Sequence, residues 1–252
     1  MTLASGAPMR IQLCGETVIE GPDGRIDERL PGRQGRVLFA YLVLNRHRPV
    51  GRDELVEALW SGELPRATEA GLNALLSKLR RTLGPGVLEG RSNLRLRLPD
   101  GARIDVEIAT EAAHRAESKI ALGEWKLAWA PSLVALFVAE REFLPGEDAP
   151  WISDQRRRLD EIRLLALETY SAAALGTGGT ELPAAIRAGQ QLIAIAPLRE
   201  SGYQLLMRSL AAQGNLAEAL RIYTSLCDVL RDDLGVSPSP MTQAVYEQLI
   251  RS

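Results

Sequence analysis

From Ala70 to Leu88 the chain carries no acidic residue, yet Lys78, Arg80 and Arg81 fall within a single helical turn of one another. Over residues 70–104 seven basic residues (Lys78, Arg80, Arg81, Arg91, Arg95, Arg97 and Arg103) stand against two acids, Glu89 and Asp100. Guanidinium and ammonium groups in such excess suit the neutralisation of phosphates, and a guanidinium fork can also read a base edge. At about 100° per residue, Leu72, Leu76, Leu79 and Leu83 fall on one arc of a helix. The opposite arc carries Ala70, Ala74, Ser77 and Arg81, flanked by Asn73, Lys78 and Arg80. Small residues near the start of that face permit close approach to a groove floor, and polar and basic ones reach bases and phosphates. Arg91 falls at a hairpin tip, placed for a minor groove or a phosphate, and Arg95 and Arg97 share one face of a strand whose other face is leucine. Arg48 and Arg52, with Arg33, Arg36 and Arg46, add candidate backbone contacts. Any one of these arginines also fits a solvated surface charge; their grouping is what points to nucleic acid.

Catalytic chemistry has little to stand on. His47 and His114 are the only histidines, and there is no phosphate loop, paired-histidine metal signature or nucleophile elbow. Helical acids such as Asp160, Glu161 and Glu168 lie among arginines at spacings that suit surface ion pairs. The chain is therefore expected to be no enzyme, without cofactor or metal.

The elements that must position the basic residues read clearly. Arg10-Ile11-Gln12-Leu13 alternates, Gly21-Pro22-Asp23-Gly24 is a turn signal and Arg25-Ile26-Asp27 resumes beyond it, which predicts a small antiparallel sheet. Val37, Leu38, Tyr41, Leu42 and Leu44 then recur at helical spacing, with a stop before Pro49. A second, short helix is expected from Asp53 through Leu55, Val56, Leu59 and Trp60, followed by a loop over Ser61-Gly62-Glu63-Leu64-Pro65. The third helix opens at Thr68 and stops at Gly84-Pro85-Gly86. Val87-Leu88 and the alternating Leu94-Arg95-Leu96-Arg97-Leu98 make a hairpin. Sheet, three helices and hairpin is the order of a winged helix-turn-helix, expected over residues 9–104.

From Asp105 to residue 252 the periodicity is helical, broken at Gly123, Leu144 to Pro150, Gly176 to Gly179, Pro197, Gly214 and Gly235 to Pro240. Ala185 and Ala219, one tetratricopeptide period apart, each sit just inside a helix after a turn, and Gly123-Glu124-Trp125-Lys126-Leu127-Ala128 echoes Gly214-Asn215-Leu216-Ala217-Glu218-Ala219. About three stacked helical hairpins of tetratricopeptide type are expected, with an ordinary helical bundle as the alternative. The fold class is thus mainly α with small β: an N-terminal winged helix and an all-α C-terminal repeat domain.

Charge divides the same way. Residues 1–104 carry 16 Lys+Arg against 12 Asp+Glu, and residues 105–252 carry 14 against 20, so the net charge of −2 hides a basic front and an acidic rear. Cys14 and Cys227 lack metal-like spacing and read as ordinary thiols of a reducing compartment, with no disulfide. Met1–Pro8 has no basic start or apolar region of a leader, and nothing approaches the roughly 18 uninterrupted apolar residues of a membrane span. A cytoplasmic location is expected, with no membrane partner.

Several words of the sequence carry a family resemblance. They are Arg48-Pro49-Val50, Glu54-Leu55-Val56-Glu57-Ala58-Leu59-Trp60 and Leu76-Ser77-Lys78-Leu79-Arg80-Arg81-Thr82-Leu83-Gly84 in the front. In the rear they are the run from Arg157 to Glu168, Pro197-Leu198-Arg199-Glu200 and the run from Leu230 to Pro240. Residues 9–104 resemble the OmpR-type winged helix of the Streptomyces antibiotic regulatory protein family, and residues 105–252 its bacterial transcriptional activation domain. The chain departs from that family at the wing, where Arg91-Ser92-Asn93-Leu94 replaces a Pro-Gly-Tyr segment, and at Gly71 and Leu75. The resemblance implies a transcriptional activator without a receiver domain that binds direct repeats in double-stranded promoter DNA. It further implies recruitment of RNA polymerase and its sigma factor, and self-association on tandem sites.

A second reading is a protein-interaction or effector-sensing scaffold with a weakened DNA-binding domain, in which Trp125, Trp129, Trp151, Tyr170, Tyr203 and Tyr223 line a groove. Aromatic residues at helical spacing equally fit a core.

Overall fold

The computed structural model describes residues 8–21, 24–60 and 67–251. The expected loop at Ser61–Pro65 and the Pro22-Asp23 centre of the first turn lie outside them. Two compact units emerge: Met1–Ile108 with Arg141–Leu159, and Ala109–Glu140 with Asp160–Ser252.

In the first unit, β1 (Arg10–Gln12), β2 (Val18–Gly21) and β3 (Gly24–Arg25) form the expected antiparallel sheet, with Ile11 opposite Ile19. A further strand, β7 (Arg103–Ile104), joins β1 in parallel, which the sequence reading did not assign because two residues without a hairpin partner carry no alternation signal. Between them come α1 (Gly32–Leu44), β4 (Val50–Gly51), α2 (Arg52–Leu59), α3 (Thr68–Leu83), β5 (Leu88–Glu89) and β6 (Asn93–Leu96). β4, β6 and β5 pair antiparallel in that order, with Val50 opposite Leu94 and Leu88 opposite Leu96. Leu38, Phe39, Leu42, Leu55, Leu72, Leu79 and Leu94 are fully buried. The leucine arc of α3 and the leucine face of β6 therefore close the core, which turns the basic arc and Arg95 and Arg97 outward.

Arg141–Leu159 completes this unit, beyond the boundary of residues 9–104 read from sequence. Gly15 N–H donates to the Glu142 carbonyl (2.7 Å) and Leu144 N–H to the Leu13 carbonyl (3.0 Å), extending the β1 end. The Trp151 indole donates to the Ala58 carbonyl at the end of α2 (3.0 Å) and meets Tyr41 edge-on at 5.1 Å. Arg156 donates to the carbonyls of Phe143, Leu144 and Glu147, and Arg33 pairs with Glu147 at 2.6 Å. Periodicity finds the helix around Trp151 but cannot say which core it serves.

The chain continues through α4 (Asp105–Ala121), α5 (Trp125–Ala139), α6 (Pro150–Thr177), α7 (Leu182–Ile195), α8 (Glu200–Ala212), α9 (Leu216–Leu234) and α10 (Pro240–Arg251). The breaks fall where Gly and Pro placed them, except that α5 already ends at Ala139. Asp105 fastens the start of α4 to β1 by accepting the N–H groups of Leu13 and Cys14. In the second unit Ala112, Ala135, Leu136, Ala166, Leu167, Ala188 and Leu192 form one cluster, and Leu206, Met207, Leu210, Ala219, Val245 and Leu249 another. Small residues set the helix spacing: a Cβ on Gly189 would stand 3.1 Å from Leu206, and one on Gly202 3.1 Å from Leu192. Asn215 caps α9 by accepting Glu218 N–H, and left-handed Gly235 ends it.

The aromatic residues named for a groove do not share one. Trp151 belongs to the first unit, Tyr203 is core, Trp129 packs on Tyr170 at 6.1 Å, and Tyr223 stacks on Tyr246 at 4.0 Å.

Candidate nucleic-acid interface

The outward face of α3 is built as the wheel requires. Leu72, Leu76 and Leu79 are buried, whereas Ala70, Asn73, Ala74, Ser77, Lys78 and Arg81 are exposed. Gly71 faces Trp60, whose ring a Cβ would meet at 3.7 Å, an ordinary packing distance. Beyond Gly84, at φ +87, the chain turns into β5. Between β5 and β6 the wing tip turns at Gly90, whose φ is +88 and where a Cβ would fall 1.8 Å from the Asn93 carbonyl oxygen. A side chain cannot be accommodated there, so glycine is what lets the tip present Arg91, Ser92 and Asn93 to solvent.

The basic residues separate into two groups that the sequence treats alike. Lys78, Arg81 and Arg91 are exposed, and among the described residues their side chains make no hydrogen bond or ion pair. The others are engaged within the unit. Arg80 donates to the carbonyls of Gly90 (2.6 Å) and Leu88 (3.4 Å), pinning the wing to α3. Arg52 donates to Glu69 and to the Asn73 amide oxygen, both at 2.8 Å, and to the Arg91 carbonyl at 3.4 Å, so it ties the start of α2 to α3 and to the wing tip. Asn73 is thereby oriented with its amide nitrogen left to donate. Arg97 pairs with Glu89 at 3.1 Å across the wing. Arg95, half-buried, gives the His47 carbonyl a long contact of 3.4 Å.

Arg48 pairs with Glu54, one contact being 2.9 Å, and Tyr41 donates to the same carboxylate at 2.6 Å. The Arg48 guanidinium holds the Glu54 carboxyl down to about 2, and burial beside that carboxylate pushes the Tyr41 hydroxyl up to about 12. Arg33, Arg36 and Arg46, offered as backbone contacts, form internal ion pairs with Glu147 and Glu107. The acids that occupy these three lie 61 to 114 positions away, a pairing that spacing along the chain does not announce.

Chemically, the arrangement is an exposed helix face whose single acid, Glu69 in the first turn, is held by Arg52, and which carries two cations unpaired among the described residues, beside a hairpin tip carrying a third. It offers binding to an anionic surface. Among the described residues no group of three or more His, Cys, Asp or Glu side chains is gathered to hold a metal ion.

The sequence model of the family described as bacterial transcriptional activator domain matches residues 104–250. The chain is 35% identical over 250 residues to a regulatory protein named AfsR from Streptomyces coelicolor, covering 97% of this chain and 24% of that protein. It is 28% identical over 236 residues to the transcriptional regulatory protein EmbR of Mycobacterium tuberculosis, covering 86% of this chain and 57% of EmbR. It therefore spans about a quarter to three fifths of the length of these relatives. Among solved structures, Mycobacterium tuberculosis EmbR in complex with a low-affinity phosphopeptide is similar with a TM-score of 0.83 and 25% identity, over 96% of this chain and 65% of that one.

Proposed function

Because the chain belongs to the Streptomyces antibiotic regulatory protein family, a non-enzymatic family of transcription regulators with a bacterial transcriptional activator domain, we propose that it binds double-stranded promoter DNA through α3 and the β5–β6 wing. The observation that carries this reading is the outer side of α3 beyond its first turn, which carries no acid from Ala70 onward and where Lys78 and Arg81 stand exposed, unpaired among the described residues, with Arg91 at the adjoining wing tip. α3 enters the major groove with Ala70, Ala74 and Ser77 against its floor, Asn73 faces base edges, and Lys78 and Arg81 meet phosphates. Arg91 meets the minor groove or a phosphate. Arg52 and Arg80 act by holding α2, α3 and the wing in one geometry, and Arg48 by fixing Glu54; Arg95 and Arg97 lie farther along the wing.

In this reading residues 9–104 recognise DNA, and residues 105–252 provide the helical surface that engages RNA polymerase and its sigma factor. Copies associate on direct repeats, and activation is recruitment without covalent chemistry. The setting is the cytoplasm; no described helix is long and apolar enough to cross a membrane.

Selection of bound sequences from random duplex DNA tests the reading. Wild type is expected to enrich tandem repeats, and Lys78→Ala/Arg81→Ala to enrich nothing. Recovery of no sequence by wild type at low salt overturns it in favour of the scaffold reading. That second reading draws on the turn after α4 and on α5, where Leu122 and Leu127 are 70% and 60% exposed.

A further inference from the structure

A cleft of about 320 Å³ lies at the foot of the wing, away from its tip, lined by Arg46, His47, Arg95, Arg97, Asp100 and Gly101 among others. Its charges are unevenly compensated. Arg46 is held by both oxygens of Glu107, one contact being 2.7 Å, and Arg97 by Glu89 at 3.1 Å. Arg95 has no carboxylate among the described residues. Its Nη2 reaches the His47 carbonyl only at 3.4 Å, and its Nε is buried without an acceptor. A half-buried guanidinium left in this state is costly, because it has lost water and gained neither counter-charge nor full hydrogen bonding. An anion seated in the cleft supplies the missing counter-charge.

We propose that this cleft is a binding site for a phosphate group, with Arg95 as its principal ligand. The guanidinium fork matches two phosphate oxygens; Arg97 and His47 also line the cleft, as does the Asp100 carboxylate, which opposes an anion there. The volume lies at the small end of ligand sites, which run from roughly 300 to 1,000 Å³. No Phe, Tyr or Trp lines it to stack on a base. It therefore fits a free phosphate or small phosphomonoester, or one phosphate of a nucleic-acid backbone, and no nucleotide base. Arg95 lies within β6 whereas Arg91 lies in the bend before it and does not line the cleft, so the site is separate from the wing tip.

Calorimetric titration of the full chain with inorganic phosphate, against chloride at matched ionic strength, tests the proposal without involving DNA. Wild type is expected to bind phosphate at a single site, Arg95→Gln to bind at least about tenfold more weakly, and Arg221→Ala, on the exposed side of α9, to bind as wild type. Arg95→Lys, which keeps the charge in place and loses the fork, is expected to fall between; it serves also if Arg95→Gln does not fold. A second arm measures the salt dependence of DNA affinity for Arg95→Gln. A slope shallower by about one identifies a backbone phosphate as the occupant, and an unchanged slope with lost phosphate binding identifies a free phosphate. Phosphate heat no greater than chloride's together with an unchanged slope overturns the proposal, as does phosphate binding indifferent to both Arg95 variants. Because the titration contains no DNA and Arg221 lies in the second unit, failure of the DNA reading leaves the phosphate titration decisive.

Discussion

Adjacent arginines in one helix do different work here. Arg80 spends its donors on the carbonyls of Leu88 and Gly90, while Arg81 faces solvent. Arg80→Ala is accordingly expected to lower stability by about 1–2 kcal/mol, through two lost charge-assisted bonds, and Arg81→Ala to change it by less than about 0.5 kcal/mol. Urea unfolding of the two variants beside wild type checks this, and equal losses would contradict the assignment of Arg80 to the wing. Glu54 gives a pH signature at the same scale. Its carboxyl is held at about 2 by Arg48, below its value in the unfolded chain, so the stability it contributes is present above the usual carboxylate range and is lost as pH falls toward about 2. Glu54→Gln is expected to flatten the acid limb of a melting-temperature profile over that window. These pairings were hidden in the sequence because ion-pair partners are chosen by tertiary proximity, whereas the exposure of Lys78 and Arg81 followed from the leucine period alone.

Helix α3 and the wing are specified mostly by local rules, and those were legible. Leucines at helical spacing, a glycine stop and an alternating strand located both elements closely. What the sequence did not show is why particular glycines stand where they do. Gly90 is required by a positive φ and by the Asn93 carbonyl beside it, so Gly90→Ala is expected to cost more than about 1 kcal/mol and to disorder the wing, seen as faster amide exchange at Arg91–Asn93. Gly71 is different: its α3 backbone is helical and a Cβ would rest against Trp60 at 3.7 Å. Gly71→Ala is expected to raise stability by up to about 1 kcal/mol, and a lower melting temperature would refute that packing.

At the scale of the whole molecule, the chain divides into a winged-helix unit with a basic front and a helical-repeat unit, but the units are not consecutive stretches of chain. Arg141–Leu159 belongs with the winged helix because Trp151 packs on Tyr41 and caps the Ala58 carbonyl and because Glu142 and Leu144 bond the backbone beyond β1, while Arg156 holds the segment's own carbonyls. Hydrophobic period announces a helix there without naming its destination, so a boundary near Ile104 was the natural reading of the sequence. A fragment ending at Ile108 is therefore expected to unfold at lower urea than the same elements in the full chain. Trp151→Ala is expected to destabilise the first unit by about 3 kcal/mol. An equally stable fragment would show that the returning segment is dispensable.

The central claim, that α3 and the wing grip DNA through uncompensated cations, is tested most directly by the salt dependence of duplex affinity for wild type and for Lys78→Ala, Arg81→Ala and Arg91→Ala. The account predicts a steep fall of log affinity with log salt for wild type, with each substitution making the slope shallower by about one at little cost in folding stability. A slope that the substitutions leave unchanged, or affinity indifferent to salt, would contradict it.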